Sequence, residues 1–289
     1  MSSPRWPAPA KINRFLHVIG RRDDGYHLLQ TVFQFLDMGD WLDFTCTSDG
    51  QVHRLGDVSG VSAAADLSVR AARLLQQVTG GELGAIIHMD KRLPTGGGLG
   101  GGSSDAATTL VALNEIWGTG LGEDALAELG LRLGADVPVF VRGRAAWGEG
   151  VGEQLTSVTL DEPWFLVVDP GISVATAAVF QATELTRNSP RITMDDFYAG
   201  RARNDCEPVV RRLYPEIDCA LDWLGRFGEA RLTGTGACVF AGFEQEREAR
   251  SALASLPQRW RGWVARGCNH SPLRERRRPT PVGVTAQEC

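Results

Sequence analysis

The feature that most constrains this chain is a glycine run leading straight into an alanine-rich segment. It reads Pro94-Thr95-Gly96-Gly97-Gly98-Leu99-Gly100-Gly101-Gly102-Ser103-Ser104-Asp105-Ala106-Ala107. Six of the seven residues from 96 to 102 are glycine. Without a Cβ, such backbone can turn its N–H groups inward and lie close to an anion. Residues 103–117 then read as a helix ended by Gly118 and Gly120. A helix start adds unpaired N–H groups and the positive end of a dipole. Ser103 and Ser104 can cap that helix, contact a phosphate or meet a metal-bound water. This is the physics of a polyphosphate cradle. A flexible linker fits poorly, because the run lies between an apolar strand at 85–89 and a helix.

Several nucleotide folds use glycine loops, and most are excluded. The P-loop pattern needs a lysine before the Ser/Thr, and here Gly102 precedes Ser103. The dinucleotide pattern is formally met by Gly96, Gly98 and Gly101. It lacks the acidic residue that should end a second strand about 20 residues on, and Glu115 falls inside the helix. The protein-kinase signatures H-R-D and D-F-G are absent.

Composition narrows the field further. A chain of 289 residues that is 43% hydrophobic suits one large or two ordinary globular domains. A formal net charge of −5 opposes a nucleic-acid partner. Six cysteines without C-x-x-C spacing and scattered histidines predict free thiols and no resident metal site. The N-terminus lacks an apolar signal core, and no apolar run nears the roughly 20 residues of a membrane helix. The expectation is a cytoplasmic protein without a membrane partner. Of the 30 basic residues, two are lysines, Lys11 and Lys91. They are expected where a compact ammonium is needed and a planar guanidinium does not fit.

Strand-like runs lie at 12–19, 28–36, 41–47, 85–89, 164–168, 230–233, 238–241 and 262–265. Helical spacing marks 66–78, 103–117, 123–133, 219–227 and 243–255. Residues 50–60 read as turns, and Asp24-Gly25 as a turn dipeptide. Strands and helices mix without a regular βαβ period. The fold class is therefore α+β, with two domains meeting near residue 150–160. The expected division is 1–155, 156–273 and a disordered basic tail at 274–289 holding Arg274 and Arg276 to Arg278. Asp136, just before Val137-Pro138, reads equally well as a catalytic base or as a helix cap.

The pattern P-x-x-x-G-L-x-x-x-S-S-x-A resembles the glycine motif of the GHMP small-molecule kinases, which include galactokinase, homoserine kinase, mevalonate kinase and phosphomevalonate kinase. Pro9-Ala10-Lys11-Ile12-Asn13-Arg14-Phe15-Leu16 is similar to that family's first motif. Gly20-Arg21-Arg22-Asp23-Asp24-Gly25-Tyr26-His27 and its continuation to Phe33 resemble the branch that acts on a cytidine-diphosphate-linked methylerythritol. Gly134-Ala135-Asp136-Val137-Pro138, Asn204-Asp205-Cys206-Glu207, Thr233-Gly234-Thr235-Gly236-Ala237 and Asn269-His270-Ser271-Pro272-Leu273 fit the same branch, in the same order. The resemblance implies a two-domain GHMP-kinase-like fold. The N-terminal nucleotide-binding domain would be ribosomal-S5-domain-2-like and the C-terminal domain a ferredoxin-like α/β sandwich.

The implied reaction transfers the γ-phosphoryl group of Mg²⁺-ATP to a tertiary hydroxyl of that small molecule, by a monomer or homodimer. The resemblance makes Asp136 the base. Lys11 is its partner, or stabilises charge on the phosphoryl group. ATP falls to the loop from Pro94 to Ser104, with Lys91 and Asp66. Tyr26, His27 and Phe33 would face the cytidine, while Asn13, Thr176 and Phe180 contact the rest of the substrate. No residue is assigned as a permanent metal ligand. Another kinase of the family, acting on homoserine or mevalonate, is the alternative; an RNA-binding module and an oxidoreductase are remoter ones. Two positions depart from the pattern. Arg14 replaces an apolar residue and is expected to face solvent or a phosphate. Asp66 replaces an asparagine that could meet adenine.

Overall fold

The computed structural model of the chain describes residues 5–56 and 60–277. Two long strands dominate it, β1 (Trp6–Arg21) and β2 (His27–Thr47), paired antiparallel from Trp6↔Leu42 to Arg21↔His27. Their hairpin closes where expected: Asp24 accepts from the Tyr26 N–H, and Gly25 takes a φ of 90°. Two strands were expected over 28–47, and one is present. Gly39 punctuates the sequence without breaking the strand. A Cβ there would lie 2.3 Å from the Ala8 carbonyl oxygen, so the glycine serves close approach of two strands. The pairing shifts register between Pro9 and Lys11, Asn13 and Phe15, and Val18 and Gly20. Such bulges re-aim side chains, and two of them flank Lys11 and Asn13.

Strand β2 is the hub of the sheet. It also pairs with β4 (Gly84–Asp90), β5 (Ala146–Glu149) and β10 (Arg261–Cys268). Strand β3 (Val52–Leu55) runs parallel to β4 inside the span read as turns. β6 (Gln154–Ser157) extends β5. β10 continues to β7 (Trp164–Asp169), β9 (Val239–Phe243) and the two-residue β8 (Arg231–Leu232), giving the order β3-β4-β2-β10-β7-β9-β8. Phe243 closes β9, so the helix expected from residue 243 starts later.

Helix α1 (Leu67–Thr79) is capped by Asp66, which accepts from the Ser68 N–H, and ends at left-handed Gly80. Helix α2 (Gly101–Ile116) begins within the glycine run. Its cap is Gly100 at φ 73°, with no side-chain cap, so neither serine has the capping role considered for it. Ten successive residues, Ser104 to Leu113, are buried, as in a helix hydrophobic all round. α2 packs against α1, β1, β2 and the short helix α4 (Val137–Arg142), with α3 (Glu123–Leu131) beside it. Later come α5 (Thr176–Gln181), α6 (Met194–Tyr198), α7 (Glu207–Leu213), α8 (Pro215–Leu224) and α9 (Glu246–Ala254).

One core gathers residues of the first half with Leu273; another gathers β7, β9, α7, α8 and α9 with Leu16 and Val18 of β1. The expectation of a disordered tail from residue 274 fails for its first four residues. They complete α10 (Pro272–Arg277), where Arg274 donates to Glu123 and to the Arg142 carbonyl, and the Arg276 guanidinium lies 3.9 Å from the Trp6 ring centroid. Long arginine stems pack well on such surfaces, which a charge count does not reveal. The rest of that tail, 278–289, lies outside the described residues. Among the described residues, no helix is long and apolar enough to cross a membrane.

Candidate active site

A cavity of about 550 Å³ opens where β1, β2, the glycine loop, the start of α4 and the loop 233–237 converge. Lys11 is its hinge. On β1 the side chain is 3% exposed. Its Nζ donates to the Asn13 Oδ1 at 2.6 Å and to the Gly98 carbonyl at 3.0 Å, and lies 3.3 Å from the Asp136 Oδ2. The Phe33 ring centroid is 5.6 Å away. One ammonium therefore ties the glycine loop to a carboxylate and to β1. The pairing of Lys11 with Phe35 and of Asn13 with Phe33 sets this geometry.

Asp136 immediately precedes α4, and its side chain makes no capping bond. The two roles left open at that residue are thereby separated: the carboxylate faces Lys11 and the cavity, not its own helix. It is about one-third exposed, so a ligand can reach it.

Not all loop glycines have the same task. Gly96, Gly98 and Gly100 have φ of 72°, 76° and 73°, where a side chain is strained. A Cβ on Gly98 would fall 2.3 Å from the Thr233 carbonyl oxygen, and one on Gly100 would fall 2.7 Å from the Phe140 ring. These glycines admit neighbouring protein. The loop 233–238 is locked to the run by Ala237 N–H to Gly96 O, Cys238 N–H to Gly97 O, and Thr233 Oγ1 to Gly98 O. Gly102 differs. It lines the cavity in the first turn of α2, and a Cβ there meets nothing nearer than Leu67 at 3.7 Å. There, rather than at Gly98 or Gly100, space lies beside the helix N-terminus, where an anion is favoured.

Behind the loop, the Lys91 ammonium is shared between Asp40 and Asp105, the latter at 2.6 Å. Asp40 also accepts the Arg92 and Leu93 N–H groups. Burial pushes the Asp105 carboxyl up to about 7, with Asp40 adding to the rise and Lys91 opposing it. Burial works against the Lys91 charge, yet its two carboxylate partners outweigh it and raise its pKa. The Asp105 Oδ1, buried, has no hydrogen-bond partner among the described residues.

The cavity wall includes Lys11, Asn13, Phe33, Asp66, Lys91, Pro94, Thr95, Gly96, Gly97, Gly98, Gly100, Gly101, Gly102, Ser103, Asp136, Thr176 and Phe180. Asp66 reaches it with both oxygens engaged, one by Ser68 N–H and the other by Arg54. Four residues named from the sequence do not line it. Leu99 is buried and contributes its carbonyl to the Lys11 N–H. Ser104 is buried, its hydroxyl without a partner among the described residues. Tyr26 is 64% exposed at the hairpin tip. His27 stacks on Phe180, with ring centroids 4.9 Å apart and planes 22° apart. Arg14 turns away from the cavity, to Gln34, Asp161 and the faces of Phe165 and Phe197, instead of toward solvent or a phosphate. Sequence reasoning missed Thr31, which accepts from the Asn13 amide; Asp105 was quoted only as part of the motif. Thr31 carries no sequence signal, whereas an acid inside an alanine-rich buried helix could have marked Asp105.

The GHMP kinases N terminal domain matches residues 66–144, and the GHMP kinases C terminal domain matches residues 187–262. The chain is 61% identical over 271 residues to a 4-diphosphocytidyl-2-C-methyl-D-erythritol kinase of Halorhodospira halophila, covering 93% of this chain and 94% of that one. It is 62% identical over 271 residues to one of Alkalilimnicola ehrlichii, with 94% and 93% covered. A crystal structure of 4-(cytidine 5'-diphospho)-2C-methyl-D-erythritol kinase superposes with a TM-score of 0.81 at 33% identity, covering 91% of this chain and 99% of that one.

Proposed function

Because the chain belongs to the GHMP kinase family, we propose that it transfers the γ-phosphoryl group of ATP to the 2-hydroxyl of 4-(cytidine 5'-diphospho)-2-C-methyl-D-erythritol, a step of non-mevalonate isoprenoid synthesis. The relatives named above, at about 60% identity, support this choice of substrate over homoserine or mevalonate. The observation that carries the mechanism is the Lys11–Asp136 pair, held beside the Gly98 carbonyl in the cavity.

The N–H groups at the start of α2 and the loop from Pro94 to Ser103 hold the triphosphate, and the wall around Asp66 and Lys91 takes the base. Asp136 accepts the proton of the substrate hydroxyl as its oxygen bonds to phosphorus. Lys11 pairs with Asp136 and offers positive charge beside the phosphoryl group in transit. Asn13 is oriented by Thr31 and Lys11 to bind a substrate hydroxyl or phosphate. Phe33, Thr176 and Phe180 line the acceptor side, and His27 joins it through its stack on Phe180.

Among the described residues, no three metal-ligating side chains cluster. Mg²⁺ would be carried mainly on the nucleotide phosphates, as this ion commonly binds, and Asp136 and Ser103 of the cavity wall are the side chains that would hold it. When bound it would neutralise charge on the β- and γ-phosphates. On this reading residues 1–155 form the ATP half and 156–273 the second domain. The enzyme works in the cytoplasm on a small molecule, without nucleic acid, as a monomer or homodimer.

The test is ADP release from Mg²⁺-ATP with the cytidyl substrate, wild type beside Asp136→Asn and Lys11→Ala. The expected result is turnover by wild type and a loss of about 10²-fold or more in each folded variant. Turnover only with homoserine or mevalonate would overturn the substrate. Full activity of Asp136→Asn would overturn the base.

A further inference from the structure

Arg187 bonds at once to the segment that carries Phe180, a residue of the cavity wall, and to the His27 stacked on it. Its Nε donates to the His27 Nε2 at 3.2 Å. Its Nη2 donates to the Phe180 and Ala182 carbonyls at 2.9 and 2.7 Å, and its Nη1 to the Leu185 carbonyl at 3.1 Å. Phe180 lies in α5, a six-residue helix too short to be stable alone. The guanidinium thus satisfies carbonyls at the C-terminal end of that helix, where a cation is favoured. The same group grips the imidazole stacked on the helix's ring. No carboxylate pairs with Arg187 among the described residues.

A guanidinium only donates, so the Nε2 it touches must be the unprotonated nitrogen. This assigns the ring proton of neutral His27 to Nδ1, from the hydrogen-bond network. Burial, Arg187 and Arg21 lower the His27 pKa, which keeps the ring neutral. The Nδ1 has no partner among the described residues. The ring therefore presents a fixed donor beside Phe180. Exchanging tautomers would break the Arg187 bond and set two N–H groups against each other.

Resting on the cytidyl reading above, we propose that Arg187 is a positioning residue that holds His27 as the Nδ1-protonated tautomer against Phe180 and so makes the site prefer a cytosine ring to a uracil ring. At N3, cytosine offers a lone pair to a donor, whereas uracil carries an N–H. A donor facing a donor is a mismatch that discriminates between the two rings.

The experiment has two arms, both on the full chain. Ring ¹⁵N NMR of wild type, with His27 assigned by its loss in His27→Gln, reads the tautomer directly. It needs no Arg187 variant and no substrate. The expected pattern is protonated Nδ1 and unprotonated Nε2; the reverse would overturn the proposal. The second arm compares kcat/KM for the cytidine-diphosphate-linked substrate and its uridine counterpart. Wild type is expected to favour cytidine by about tenfold or more. A folded Arg187→Met should lose most of that ratio through KM, with kcat little changed. Arg187→Lys, a single point donor in place of a planar fork, should fall between them. An unchanged ratio in folded Arg187→Met would overturn the proposal. Wild type that ignores the cytidyl substrate but phosphorylates mevalonate or homoserine would instead overturn the substrate reading, and base selectivity with it, while the NMR arm still decides the tautomer.

Discussion

The glycine loop invites one paired perturbation, Gly98→Ala against Gly102→Ala. At Gly98 the new methyl would sit at φ 76° and 2.3 Å from the Thr233 carbonyl oxygen, with the Gly236 carbonyl oxygen at 3.0 Å. A left-handed alanine costs about 1–2 kcal/mol. Overpacking adds about 1–3 kcal/mol, because backbone atoms cannot rotate away as a side chain can. The sum is a loss of about 2–5 kcal/mol, together with the Lys11 and Thr233 bonds to the Gly98 carbonyl. At Gly102 the methyl enters open cavity, 3.7 Å from Leu67. Replacing a helical glycine there should leave stability unchanged or raise it by about 0.5–1 kcal/mol. The same methyl stands where the phosphates approach the helix, so the KM for ATP should rise about tenfold or more. Urea unfolding and initial rates against ATP concentration measure both variants. A Gly98→Ala protein as stable as wild type would refute the packing account. A Gly102→Ala protein with unchanged KM would refute the location of the phosphates.

Asp136→Ala should abolish turnover. Because no capping bond is lost, its stability should change only through the broken ion pair with buried Lys11. In a Lys11→Ala background it should change by less than about 0.5 kcal/mol, where a true cap would still cost about 1 kcal/mol. Thermal unfolding beside the ADP assay separates the two roles. Asp105 predicts a pH dependence of folding. Its carboxyl titrates near 7 when folded and near 3.9 when unfolded. Between those values the folded chain holds a proton that the unfolded chain has lost, so this group makes stability fall as pH rises from about 4 to about 7. Asp105→Asn should flatten that interval in a series of urea titrations. An unchanged slope would show that Asp105 is ionised when folded.

Much of the site was legible because its chemistry is written in local runs. The glycine stretch and the residues after it need only chain neighbours to announce an anion site. Lys11 stood out by the scarcity of lysine, and Asp136 by its place in a short motif. Other features could not be read locally. Whether Asp136 caps its helix or faces Lys11 depends on the register of β1 against the glycine loop. Whether Gly98 admits a phosphate or the Thr233 carbonyl depends on a loop far along the chain. Arg14 points to Gln34, Asp161 and two aromatic faces because of where the bulges in β1 fall.

The sequence by itself therefore pointed to an anionic ligand and carried, in local runs, the glycine loop and the Lys11 and Asp136 that the fold brings to 3.3 Å of each other. Periodicity and glycine content act over a few residues, and those choices are local. The tertiary structure alone decided that β2 runs unbroken through Gly39, that Arg274 to Arg277 dock as α10, that Asp105 shares Lys91 with Asp40, and that Arg187 holds His27 to Phe180. Each of these depends on which distant group removes water from a side chain or occupies its hydrogen-bonding atoms. That choice is made only when strands and helices close on one another.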